Sequence, residues 1–261
     1  MKPNRFKQVV AEGRIPVGHM IMEFGTRGIA KIVEAAGVDF VVIDMEHTGF
    51  EAERVADLIA WFKATPVAPF VRVPQGFYHF LARTMDAGAL GVMVANVETG
   101  EQAHSIVDAV KYAPLGARGV ALSVAHTDYI APPAAEYFAE SNANTTVICL
   151  IESAKGLENL DAIASTPGVD VLWVGHYDLT QSMGIPGQFQ HPRFLEAIRR
   201  VIETARRHGK QAGILPHNEK QATEWIATGF NVISWSVDIS VYRDALAEGV
   251  RWLRAASPHA S

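Results

Sequence analysis

Phe40-Val41-Val42-Ile43-Asp44-Met45-Glu46-His47 sets the reading of this 261-residue chain. Four apolar residues run without a break into a segment that carries two carboxylates and an imidazole. A strand buried on both faces reads as a continuous apolar run, and in an α/β fold its carboxyl end opens onto solvent and ligand. The pattern recurs. Residues 67–71 lead to Arg72, residues 147–151 to Glu152, and residues 169–174 towards Asp178.

Working outward, apolar strands alternate with amphipathic helices along the whole chain. A strand over 17–22 precedes a helix over 26–36, where Ile29, Ile32, Val33 and Ala36 keep helical spacing and Gly37 stops the run. Strand two, 39–43, precedes a helix over 50–63 with Val55, Leu58, Ile59 and Phe62 on one face. Strands over 67–71 and 90–94 precede helices over 77–86 and 100–111. An irregular stretch over 112–144 holds a short helix near 134–140. Strands over 147–151, 169–174, 211–215 and 231–234 follow, with helices over 156–164, 178–183, 193–208, 219–228 and 241–256. Eight strand–helix units in this length predict one (β/α)8 barrel domain. The rival, an open doubly wound sheet, lacks its Gly-x-Gly-x-x-Gly turn after the first strand.

Bulk properties narrow the classes. Hydrophobic residues make up 49% of the chain, which supports a large core. The net charge of −5 comes from interspersed acids and bases without a basic run, so nucleic acid is not expected as a partner. No apolar stretch has the length of a membrane span, and the polar start Met1–Lys7 has no apolar region of a secretory signal behind it. The single cysteine, Cys149, lies in an apolar strand, and a reduced cytoplasmic setting is expected.

Barrel chemistry gathers at the carboxyl ends of the strands. That rim supplies Glu23, Asp44, Glu46, His47, Arg72, Glu152, Asp178, His217 and Asn218. The excess of carboxylates favours Mg²⁺ or Mn²⁺, with Co²⁺ a further candidate, over zinc. Glu152 and Asp178 come from neighbouring strands and form the best ligand pair, although Asp178 also suits a plain helix cap. His47 is placed for a general base or for an ordinary polar loop contact. Arg72 suits either an ion pair with the nearby acids or a clamp on a carboxylate or enolate oxygen. Trp173, Leu215 and Trp235 are expected in the core or in the wall of a substrate pocket.

Two chemistries are disfavoured. A Schiff-base aldolase needs a lysine at a strand end, and of eight lysines only Lys155 lies near one. The turns after strands seven and eight, Leu215-Pro216-His217-Asn218 and Ser234-Trp235-Ser236-Val237-Asp238, lack the glycines of a phosphate site.

Ile43-Asp44-Met45-Glu46-His47, Val71-Arg72-Val73-Pro74, Ile151-Glu152-Ser153 and the run from Gly175 to Gly184 together resemble the signatures of the HpcH/HpaI aldolase family. The run from Gly209 to Leu215 and that from Lys111 to Gly119 fit as well, in colinear order over nearly the whole chain. The resemblance implies a metal-dependent pyruvate aldolase, assembled as a homotrimer or homohexamer with the last helix exchanged between subunits. It implies that Glu152 and Asp178 hold the metal and that the metal is chelated by the pyruvyl carboxylate and 2-keto oxygen. It further implies that Arg72 stabilises the enolate and that His47, oriented by Asp86, is the base. The amides of Tyr177 and Asp178 would receive the pyruvyl carboxylate, and Trp173 and Leu215 would line the substrate pocket.

Some positions depart from the family pattern. His176 stands where proline is usual, Leu150 where glutamine is frequent, and Val94-Ala95-Asn96-Val97 and the turn after strand eight differ in wording. The function expected is reversible cleavage of a 4-hydroxy-2-oxo acid to pyruvate and an aldehyde. A citrate- or citryl-CoA-type lyase or synthase, or a non-catalytic barrel that binds a 2-oxo acid, are the alternatives.

Overall fold

The computed structural model describes residues 1–256. Eight parallel strands close into a barrel in sequence order: β1 Val17–Ile21, β2 Phe40–Asp44, β3 Ala68–Val73, β4 Gly91–Val94, β5 Thr146–Ile151, β6 Val171–Val174, β7 Gln211–Ile214 and β8 Val232–Val237. The helices are α1 Arg5–Ala11, α2 Ile29–Ala35, α3 Ala52–Phe62, α4 Tyr78–Asp86, α5 Gly100–Val110, α6 Ala134–Asn144, α7 Ala154–Glu158, α8 Leu160–Ala164, α9 His176–Ser182, α10 Pro192–Arg207, α11 Glu219–Thr228 and α12 Asp238–Ala256. Among the described residues, no helix is long and apolar enough to cross a membrane.

Strand alternation sorts the apolar residues into two cores. Val41 and Ile43 of β2 pack outward against the helices, with Val71, Val92 and Ile151 in the same layer. Phe40 and Val42 point into the barrel with Phe70, Met93, Leu150 and Trp173. Parity then carries Asp44 to the inner side two residues beyond Val42, and does the same for Arg72 after Phe70 and Glu152 after Leu150. The register puts Asp44 directly beside Arg72.

Helix α1 closes the amino end of the barrel, an element absent from the polar reading of Met1–Lys7. Asn4 caps it and donates through Nδ2 to the carbonyls of Leu90 and Asn144, 3.2 and 2.7 Å away. Phe6 stands edge-on to Phe40 and Phe70 at 5.4 and 5.3 Å, so two apolar anchors, Phe6 and Val9, hold a short helix whose other residues are mostly polar.

Several boundaries differ from the sequence expectation, and those near the last strands bear on the site. The helix expected over 156–164 begins at Ala154 and breaks at Asn159 into α7 and α8. Strand β8 continues to Val237 because Ser236, at φ +51°, forms a bulge against β1. Helix α12 therefore starts at Asp238, which is buried and accepts the amides of Met22, Glu23 and Phe24 at 3.1, 2.9 and 2.8 Å. That carboxylate ties the loop after β1 to the last helix.

Candidate active site

The carboxyl-end rim encloses a cavity of about 330 Å³, lined by His47, Arg72, Glu152, Tyr177, Asp178 and His217 above an apolar floor that includes Met93, Leu150 and Trp173. A largely apolar pocket with a few converging polar groups is the usual form of a small-molecule site.

Asp44 organises its charged wall. Its carboxylate is fully buried and accepts Arg72 Nε at 2.6 Å and Nη2 at 2.8 Å, a two-pronged pair that fixes the guanidinium plane. The same carboxylate accepts the amides of Glu46 and His47 at 3.0 and 3.1 Å, so it also shapes the loop that carries them. Burial opposes the charge of Arg72, but the hydrogen bonds and negative charge of Asp44, with Glu46 and Glu152 nearby, hold its pKa above the ordinary value. Arg72 Nη1 lies 3.3 Å from Glu46 Oε2, which leaves guanidinium N–H groups free for a ligand oxygen.

Glu152 is a carboxylate short of positive charge. It is 8% exposed, and its Oε1 accepts the amide of Asn96 at 2.6 Å. Burial pushes its pKa up to about 8; the charges of Glu46 and Asp178 push the same way, while the Asn96 bond and Arg72 pull against them. Glu46 is likewise raised, by burial first and then by Asp44 and Asp178. Gly175 is required beside Glu152, since a Cβ there would overlap the carboxylate.

These mutually repelling carboxylates fit a bound divalent cation, whose charge would offset both the burial and the repulsion. Among the described residues, no three or more His, Cys, Asp or Glu side chains converge as a complete cation cage. A pair such as Glu152 and Asp178 leaves coordination positions for water and a chelating ligand, as Mg²⁺ and Mn²⁺ sites do.

The remaining expected residues divide. His47 is at the surface of the rim, its Nε2 3.7 Å from Glu46 Oε1. Tyr177 and Asp178 open α9, whose N-cap, Gly175, makes no side-chain cap bond. Trp173 is buried in the floor, and Leu215 packs partly buried against the same inner core. Trp235 is corrected: it faces away from the cavity, into a groove between β1, α2 and α12, because the β8 alternation turns its side chain outward. Lys155 pairs at 2.9 Å with Glu98 near the surface and is not among the cavity residues.

Within one chain Asp86 contacts Arg118 and His126 rather than His47. A helix after a barrel strand runs back towards the strands' amino ends, so Asp86, the last residue of α4, lies at the opposite rim. There it accepts Arg118 Nη2 at 2.6 Å, with His126 Nε2 at 3.8 Å. Sequence reading also left Ser234 and Asn96 out of the site. Inner-face parity along β8 was the available signal for Ser234; nothing in the sequence marked Asn96, whose role is played by its backbone amide at φ +54°.

With this geometry, comparison with known proteins is specific. The sequence model described as HpcH/HpaI aldolase/citrate lyase matches residues 25–245. The 5-keto-4-deoxy-D-glucarate aldolase of Shigella dysenteriae serotype 1 (strain Sd197) is 35% identical over 243 residues, covering 93% of this chain and 94% of that protein. The crystal structure of an HpcH/HpaI aldolase from Desulfitobacterium hafniense DCB-2 superposes with a TM-score of 0.92 at 30% identity, over 98% of each chain. That of the citrate synthase SbnG does so with a TM-score of 0.86 at 26% identity, again over 98% of each chain.

Proposed function

The chain belongs to the HpcH/HpaI aldolase/citrate lyase family and is a carbon–carbon lyase; on that premise we propose that it is a divalent-metal-dependent aldolase cleaving 4-hydroxy-2-oxo acids to pyruvate and an aldehyde. One observation carries the reading: Arg72, locked on the buried Asp44, faces the same cavity as the buried, cation-poor carboxylate of Glu152.

Glu152 and Asp178 would hold the cation, Mg²⁺ or Mn²⁺ with Co²⁺ a further candidate. When bound, the cation supplies Lewis-acid polarisation of the 2-keto group. His47 takes the proton of the 4-hydroxyl, with the Glu46 carboxylate 3.7 Å from its Nε2. The C3–C4 bonding pair moves towards C2, the aldehyde leaves, and Arg72 donates to the enolate oxygen that forms. Protonation at C3 then completes the pyruvate methyl group. The first-turn amides of Tyr177 and Asp178 receive the pyruvyl carboxylate, while Trp173 and Leu215 bound the space beneath and beside the substrate. The name of the Shigella relative suggests a deoxy keto sugar acid as the kind of substrate.

Two surfaces support a homo-oligomer. Helix α12 leaves Trp252 69% and Leu253 61% exposed, and an apolar groove of about 860 Å³ runs between its first turns, β1 and α2. The last helix of a second copy is the occupant this complementary pair of faces fits, in a trimer or hexamer. In such an assembly Asp86, 35% exposed at the amino-end rim, orients His47 of another copy rather than its own.

Exchange of solvent deuterium into the pyruvate methyl group tests the central reading, because it requires the enolate but no aldehyde. Exchange should require Mn²⁺ or Mg²⁺, stop with chelator, and leave the enzyme resistant to borohydride with pyruvate. Exchange that persists without metal, or borohydride labelling of Lys155, would sink it. The likeness to SbnG favours a second reading, citrate-type bond formation, which product analysis with oxaloacetate and an acetyl donor separates.

A further inference from the structure

The cavity is charged on one side only. Arg72, Glu152 and Asp178 come from β3, the end of β5 and α9 after β6, whereas Met20, Leu215, Ser234 and Val237 bring no charge from the β7–β8–β1 side, where His217 is the titratable group of the lining. On and beside that neutral side two polar atoms are left over. Ser234 Oγ is buried without a hydrogen-bond partner, in a residue 0% exposed. His176 Nε2 is in the same condition, in a residue 5% exposed. Both residues line the cavity.

Their placement follows from the fold. Val232 packs in the barrel interior and Ile233 in the outer layer, so alternation returns Ser234 to the interior. His176 follows β6 and is held by its ring, 5.0 Å from Phe189 and 5.1 Å from Trp225. A buried hydroxyl or imidazole nitrogen with nothing to bond lowers stability. The apolar floor of the cavity includes Met20, Val42, Met93 and Leu150, and among the described residues the Ser234 hydroxyl finds no hydrogen-bond partner. Polar atoms kept at such a cost suit a partner that arrives with the ligand.

We propose that Ser234 and His176 form a neutral polar subsite that recognises a hydroxyl group on the aldehyde half of the substrate. A hydroxyl both donates and accepts, so it matches a serine oxygen and an imidazole nitrogen alike. The proposal rests on the pyruvate-enolate reading, which assigns the charged side of the cavity to the pyruvyl half.

The test begins with wild-type protein and Mn²⁺, assayed for deuterium exchange into pyruvate. Aldol addition of pyruvate is then measured with glycolaldehyde and with acetaldehyde, which differ by one hydroxyl. Wild type should prefer glycolaldehyde by about tenfold or more in kcat/KM. In Ser234→Ala and in His176→Phe the preference should shrink to about threefold or less. Ser234→Ala should melt at or above the wild-type temperature, so it carries the test alone if His176→Phe does not fold. Wild type that exchanges pyruvate but shows no preference, or variants that keep it in full, would overturn the subsite and leave the enolate reading standing. No exchange by wild type at any Mn²⁺ concentration would overturn both.

Discussion

Arg72 and Arg118 are both guanidinium groups taken out of water, and the barrel treats them in opposite ways. Arg72, at the carboxyl-end rim, spends two nitrogens on a fully buried Asp44 and keeps N–H groups turned to the cavity. Arg118, at the amino-end rim, has a side chain 0% exposed, one bond to Asp86, and Nε and Nη1 without hydrogen-bond partners, its charge resting over the Tyr112 ring at 4.8 Å. The first is oriented by a strand pair in register and is free to act on a ligand. The second sits in an irregular loop and serves to hold Asp86 in place. An ion pair's surroundings, more than its chemistry, separate a reactive cation from a supporting one.

The sharpest way to break this contrast is the same substitution at both ends. Arg72→Lys keeps a charge but loses the fork on Asp44, and should lower pyruvate exchange about a hundredfold or more. Arg118→Lys should cost turnover less than about tenfold, and about 1–2 kcal/mol in urea unfolding. Similar catalytic losses at the two positions would erase the distinction.

Next in size is the role of Asp86. His47→Gln and Asp86→Asn should each lower cleavage about a hundredfold, as loss of a general base or its orienting group does. If Asp86 acts on another copy, co-refolding the two inactive variants should recover activity that neither has alone, because some assembled sites then pair an intact His47 with an intact Asp86. A mixture as inactive as its components would confine Asp86 to its own subunit, as a partner of Arg118.

The two rims were unequally legible in the sequence. Apolar runs located all eight strands, and their carboxyl ends put Asp44, Arg72 and Glu152 at one rim, where Arg72 and Glu152 line the cavity and Asp44 is buried behind Arg72. Asp86 entered the site through resemblance alone, and the return direction of α4 puts it at the far rim of its own chain. Helix α1 escaped because Phe6 and Val9 are too few to make a periodic signal, although together with Asn4 they close the barrel floor. Trp235 was misplaced because strand β8 runs past its expected end through the Ser236 bulge, whereas Ser234 lies inside the expected strand, where parity with Val232 was open to be read.

At the carboxyl-end rim, protons and cation compete for Glu152. With its pKa raised to about 8 by burial, the metal-free carboxyl is increasingly protonated as pH falls below that value. Affinity for Mn²⁺, measured by titration, should therefore drop by up to about tenfold per pH unit below 8. In Glu152→Gln the affinity should be weak and the slope largely gone. A wild-type affinity flat between pH 6 and 8 would show that Glu152 is already ionised before metal arrives.

The smallest effect belongs to the amino-end rim and has the opposite dependence on burial. His126 is buried, with Nε2 2.8 Å from the Ala121 carbonyl and Nδ1 bonded to the Tyr137 hydroxyl. Burial lowers its pKa below the usual 6.5, with Arg118 and Lys63 adding to the effect while the Ala121 bond and Asp86 oppose it. The unfolded chain thus takes up this proton first as pH falls, so folding loses stability on passing below 6.5 and regains it above. Urea unfolding at pH 7.5 and 5.5 should show His126→Gln flattening that loss by less than about 1 kcal/mol, with pyruvate exchange little altered in the assembled enzyme. An equal pH slope in wild type and variant would mean that His126 is not the proton acceptor, and that the far rim contributes to stability only through the Arg118–Asp86 contact.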